Sequence, residues 1–155
     1  MELILDIGSG RSLNNVDRAK SMIEKVAAMD SHKHKIVFKA QLFRSAPPNE
    51  PLGEKAFYAL YHYVRGLGYS MTASVFDKES LRFLLQYRVP FVKIACRPDL
   101  YWLIGEVPRS IPVYASWCYD WPEMADETLA CISQYPAKLQ DYFGMFSEQE
   151  LRRIS

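Results

Sequence analysis

Two lysines stand inside runs that are otherwise largely apolar: Lys39 in Lys35 to Phe43 (KIVFKAQLF) and Lys93 in Val89 to Ala95 (VPFVKIA). A lysine in a buried parallel strand is costly unless its ammonium is paired or faces a cavity. Together the two could hold a carboxylate or a phosphate, or one of them could form a Schiff base with a carbonyl. The plainer alternative is that each pairs with an acid such as Asp6, or snorkels its head to solvent. A second signal is Asp6-Ile7-Gly8-Ser9-Gly10. A glycine pair between a strand and a helix lets backbone amides approach a phosphate or a nucleotide.

The dinucleotide fingerprint would need a third glycine at position 13, which is Leu13. The string also looks like the first motif of S-adenosylmethionine-binding methyltransferases. That family continues with a glycine where this chain has Ser12, and it expects an acid at the end of the second strand, which KIVFKAQLF does not supply. Methyltransferase stands as a remote alternative, and a glycine-lined turn is the simpler reading. His32, His34 and His62 fall in a loop and a helix. His32-x-His34 is too sparse for a zinc site, and no metal site can be assembled from the sequence.

The elements that must position these residues alternate. Leu3 to Ile7 is an apolar run ending at Gly8, the pattern of a strand buried on both faces. Asn14 or Asn15 can cap a helix over 16–29, with Val16, Ala19, Ile23, Val26 and Ala27 at helical spacing. Lys35 to Phe43 is a second strand, followed by a loop from Arg44 to Gly53 that carries Pro47, Pro48 and Pro51. The spacing predicts a helix over Glu54 to Gly66, ended by Gly66 and Gly68, then a strand over Tyr69 to Phe76. Asp77 caps the next helix, which buries Leu81, Leu84 and Leu85. Val89 to Ala95, Ile111 to Ser116 and Thr128 to Ile132 read as strands, and Phe146 to Ile154 as a helix with Ser147 and Glu150 as its capping box. Strand alternating with helix implies α/β architecture with a mostly parallel sheet of about six strands.

Composition bounds the rest. The 155 residues, 49% hydrophobic and 24% charged, suit one globular domain over 1–155. Nineteen basic against eighteen acidic residues leave a formal charge of +1, which speaks against a nucleic-acid-wrapping chain but not against a local basic pocket. Three cysteines imply no disulfide framework, and a cytoplasmic, non-membrane protein is expected. A full eight-fold β/α barrel needs roughly 200–250 residues, so any barrel here is incomplete.

Taken in order, the segments resemble the sialic acid synthase (N-acetylneuraminate synthase) family, whose β/α barrels condense phosphoenolpyruvate with an amino sugar. The matching strings are Asp6-Ile7-Gly8, Phe38-Lys39-Ala40-Gln41-Leu42-Phe43, Ala73-Ser74-Val75-Phe76-Asp77, Lys93-Ile94-Ala95-Cys96 after Val89-Pro90, and Ser133-Gln134-Tyr135-Pro136. The resemblance implies a truncated TIM-type barrel. It places Lys39, Ser74 and Lys93 at positions that hold phosphoenolpyruvate, Cys96 and Ser116 at neighbouring hydroxyl positions, and Tyr135 at the sugar site. Arg11 and Arg97 would add to the basic pocket, arginine being suited to a bidentate grip on an anion.

The departures matter equally. Where the family carries Asn-His-Glu after the first glycine, this chain has Gly10-Arg11-Ser12, and the fourth-strand serine is Cys96. The family's metal-binding histidines lie on strands expected to be missing here, so manganese or magnesium is implied only for an active enzyme. Only nine residues, CYDWPEMAD, link the fifth and sixth strands, where a parallel crossover normally takes a dozen or more. An open sheet edge should be covered, by Trp117, Tyr119, Trp121, Tyr142 and Phe143 or by a second copy of the chain. The expectation is a small anionic ligand of the phosphoenolpyruvate type on a catalytically reduced scaffold, a pseudoenzyme. The alternative is an active condensation with an N-acetylated aminosugar, completed by a partner chain.

Overall fold

A computed structural model describes residues 2–7, 15–42, 52–95, 97–117, 125–130 and 146–147. Seven strands form one sheet in sequential order: β1 (Glu2–Asp6), β2 (Lys35–Leu42), β3 (Ser70–Val75), β4 (Val92–Ile94), β5 (Val113–Trp117), β6 (Glu127–Ala130) and β7 (Phe146–Ser147). The first six are parallel, each paired with the strand before it, and β7 runs antiparallel to β6. Between them lie α1 (Val16–Met29), α2 (Glu54–Gly66), α3 (Lys78–Leu84) and a 3-10 helix (Pro98–Glu106). This is an α/β fold, an incomplete TIM-type barrel curled into a half-barrel.

Each helix starts where a side chain or turn satisfies its first amides. Asn15 accepts from the Arg18 amide at 3.0 Å and Asp77 from the Ser80 amide at 2.7 Å. At the end of α2 the chain turns through Gly68, whose φ of +87° is a left-handed conformation that glycine adopts without steric cost. The helices cover the convex face of the sheet. There Phe38, Ala40, Met71, Val75 and Ile94 pack against Ile23, Phe57, Leu60, Leu81 and Leu84 in one buried cluster.

Strand alternation sends the other side chains to the concave face. Ile4, Val37 and Phe91 form a second apolar cluster there, with Tyr114 packed on it. Phe91 and Tyr114 stack nearly parallel, 4.1 Å between centroids and 3° between planes. The Tyr114 hydroxyl reaches Glu2 Oε2 at 3.1 Å. In a flat sheet β1 and β5 would stand four spacings apart, roughly 19 Å, far beyond that contact. The sheet must curl for it to form.

The differences from the expected elements have local causes. β4 begins at Val92 rather than Val89, because Pro90 has no amide to give to the ladder. β5 begins after Pro112 for the same reason. The 3-10 helix between them was not foreseen; it starts on Pro98 and buries Leu100, Leu103 and Ile104. The helix expected from Phe146 is corrected at its start, since Phe146 and Ser147 pair with Ala130 and Leu129. The open backbone of β6 outweighs the capping signal there. The nine-residue link 118–126 does join two parallel strands. The aromatics proposed to cover the edge, Tyr119, Trp121, Tyr142 and Phe143, lie outside the described residues, as does the side chain of Trp117. No described helix is long and apolar enough to cross a membrane.

Candidate anion site

Toward the C-terminal end of the concave face, five successive strands contribute polar side chains: Asp6, Lys39 and Gln41, Ser74, Lys93 and Ser116, with Gln41 opposite Ser74. The parallel register builds the row. Asp6 is opposite Lys39, Ser74 opposite Lys93, and Ser116 two residues beyond Tyr114, the partner of Lys93. A parallel barrel carries its chemistry at this end of its strands. Lys39 and Lys93 are only 2% and 1% exposed, and Ser74 and Ser116 are buried with them.

Hydrogen bonds connect the row into two halves. Lys39 Nζ sits 2.6 Å from Asp6 Oδ2 and donates to Ser74 Oγ at 3.2 Å. Lys93 Nζ donates to Ser116 Oγ at 2.6 Å and to the Ile94 carbonyl. The Tyr101 hydroxyl, from the 3-10 helix, donates to the Ser116 carbonyl at 3.0 Å and anchors that strand end. Beneath the row the Thr72 hydroxyl donates to the Phe91 carbonyl, tying β3 to the start of β4. Asp6 is 45% exposed on its side chain while Lys39 is buried, so the row opens to solvent at the β1 end.

The pairing of Lys39 with Asp6 is the plainer of the two readings its sequence allowed; Lys93 stands on β4, not on the strand next to Lys39, with β3 between them. Arg97 lies just past β4, half exposed, and forks onto Asp99 through Nε and Nη2 at 3.1 and 2.6 Å. That hydrogen bond raises the guanidinium further and holds the Asp99 carboxyl below the usual range. Arg11, Cys96 and Tyr135 lie outside the described residues. Sequence reasoning missed Tyr101 and named Asp6 only as a possible lysine partner.

His32 and His34 precede β2, at the opposite end of the sheet, and His62 is exposed on α2. Among the described residues no three His, Cys, Asp or Glu side chains come together to hold a metal. Among the described residues, the donor set at the rim is ammonium and hydroxyl groups around one carboxylate, which does not fit a divalent ion. The strand order also runs without the reversal beside β1 at which doubly wound sheets bind nucleotides, which removes the basis for the methyltransferase alternative.

No family model matches the chain, and no curated protein matches it. Solved structures do. A spore coat polysaccharide biosynthesis protein E from Chromobacterium violaceum aligns with a TM-score of 0.65 at 18% identity, over 79% of this chain and 43% of that one. An N-acetylneuraminic acid (sialic acid) synthetase from Leptospira borgpetersenii, in complex with citrate, aligns at 0.66 and 20% identity, over 90% and 57%. A phospho-2-dehydro-3-deoxyheptonate aldolase from Thermotoga maritima aligns at 0.58 and 15%, over 74% and 32%. These likenesses show the fold. The chain spans about half or less of the length of the structures it matches.

Proposed function

We propose that the rim of the half-barrel is a cradle for a small anion of the phosphoenolpyruvate kind, on a sialic acid synthase-like scaffold whose own condensation chemistry is reduced or silent. The carrying observation is the convergence of two buried lysines and two buried hydroxyls at one end of one face. Lys39 and Lys93 supply positive charge in a site sheltered from water, where each ion–ion contact is stronger than at the surface. Ser74 and Ser116 each donate one hydroxyl to a bound oxyanion. Asp6 holds the Lys39 ammonium in place before the ligand arrives. Two of the structural neighbours are a sialic acid synthetase and a 3-deoxyheptonate aldolase, which favours this ligand class over other small anions.

The silent reading rests on one position. Ser12 stands where the resemblance would place an acid to activate a water. A thermal-shift titration with phosphoenolpyruvate, with and without manganese, tests the cradle on wild type, Lys39→Met and Lys93→Met. Ligand at 100 times its Kd adds about 2.7 kcal/mol of stability. The wild-type Tm should rise accordingly and both variants should lose the rise; an unmoved wild-type Tm overturns the cradle.

The second reading is an active condensation completed by a second copy of the chain. It is favoured by the outer edge of β1, which pairs with no strand among the described residues. Phosphate release from phosphoenolpyruvate on adding an N-acetylated aminosugar, together with a dimeric mass in sedimentation, would establish it. A monomeric mass would remove it.

A further inference from the structure

On the β4 side, the backbone ladder stops one residue short of Ser116. β4 and β5 pair from Val92 with Val113 to Ile94 with Ala115, while on the other side Ser116 stands opposite Leu129 of β6. The chain leaving β4 turns into the 3-10 helix, and Tyr101, its fourth residue, reaches back to β5. Its hydroxyl donates to the Ser116 carbonyl at 3.0 Å. Tyr101 thus takes up the end of β5 where β4 lets it go.

The helix that carries Tyr101 is itself fixed. Leu100, Leu103 and Ile104 are buried, and Tyr101 packs against the main core. An ion pair of Lys78 with Glu106 at 2.7 Å joins the far end of the helix to the first turn of α3. A pair this exposed adds little, so the buried side chains do most of the holding.

We propose that Tyr101 is a positioning residue of the anion cradle: by holding the Ser116 backbone it sets where the Ser116 hydroxyl meets Lys93 Nζ and a bound oxyanion. This rests on the reading of the rim as an anion cradle. The effect of Tyr101 on the ligand runs through Ser116. Ser116 Oγ lies 2.6 Å from Lys93 Nζ, and a hydrogen bond to a charged group is strong only while its length and alignment are kept. A strand end left loose must be ordered when the anion binds, and that ordering is subtracted from the affinity.

Titration calorimetry with phosphoenolpyruvate tests this, run at a temperature where circular dichroism shows the protein folded. It reads the folded molecule alone, so a residue that only stabilises the fold leaves the Kd unmoved. Tyr101→Phe keeps the ring and removes the hydroxyl; its Kd should rise about three- to tenfold, the share of one hydrogen bond. Tyr101→Met is a second variant without the hydroxyl, should the phenylalanine chain not fold, and its Kd should rise at least about threefold. Ser116→Ala should weaken binding no less than Tyr101→Phe does. In the Ser116→Ala background Tyr101→Phe should change the Kd by less than about twofold, whereas in a Ser74→Ala background it should keep its full effect. A wild-type Kd in Tyr101→Phe, or an undiminished loss in the Ser116→Ala background, would overturn the inference and leave the cradle standing. No heat of binding and no Tm rise in the wild type would overturn the cradle, and the positioning role with it.

Discussion

The carboxylate of Asp30 shows how one residue can hold a turn that has little regular structure. It closes the link between α1 and β2, and its side chain is only 6% exposed. The His32 amide donates to Oδ1 at 2.8 Å, the Tyr69 hydroxyl to Oδ2 at 2.9 Å, and His32 Nδ1 lies 3.0 Å from Oδ2. His32 itself has a φ of +56°, a left-handed conformation that a side chain seldom takes unaided. The His32 amide bond does most to hold the Asp30 carboxyl below its ordinary 3.8, with burial opposing and Tyr69 and the His32 charge assisting. A carboxyl lowered on folding contributes stability above its unfolded value and loses it as pH falls through the folded one. Asp30→Asn should therefore lower the Tm by a constant amount at neutral pH. The gap from wild type should narrow as pH drops below about 3.8, followed by calorimetry across the acid range. Because the turn lies at the end of the sheet opposite the rim, phosphoenolpyruvate affinity should stay unchanged in the same variant.

Among the elements, the helix stops and starts are the most readily tested. A Cβ built on Gly68 meets nothing within 4 Å, so Gly68→Ala pays for its backbone conformation alone. A denaturant titration should show a loss of about 1 kcal/mol, with the slope unchanged. Helix ranges were legible in the sequence because caps and periodicity are local: Asn15, Asp77 and Gly68 act within a few residues of where they stand. The rim lysines were legible for a related reason, a charge inside an apolar run needing a partner. What stayed hidden depends on contacts between distant segments. Nothing in the sequence near Tyr101 says that its hydroxyl holds Ser116, and nothing near Phe146 says that it pairs with β6 rather than opening a helix. The shortened β4 was readable in principle from Pro90, since a residue without an amide cannot enter a ladder.

For the molecule as a whole, the curl of the sheet brings Tyr114 of β5 to Glu2 of β1, and the Phe91–Tyr114 stack with that tether supports the curl. Tyr114→Phe keeps the stack and removes the bond to Glu2; it should cost about 0.5–1.5 kcal/mol. Phe91→Ala removes the floor and should cost about 3–5 kcal/mol, read from thermal or denaturant unfolding. If the floor shapes the rim, Phe91→Ala should also weaken phosphoenolpyruvate binding in whatever fraction remains folded, while Tyr114→Phe leaves it within twofold. Sequential pairing has a further consequence, for synthesis. Each of the first six strands finds its neighbour in the strand made just before it, so the sheet can grow in step with a chain leaving the ribosome from its N-terminus. The bond from Tyr114 to Glu2 spans 112 positions. It cannot form until five strands are out, so it marks the moment at which a growing ribbon becomes a half-barrel.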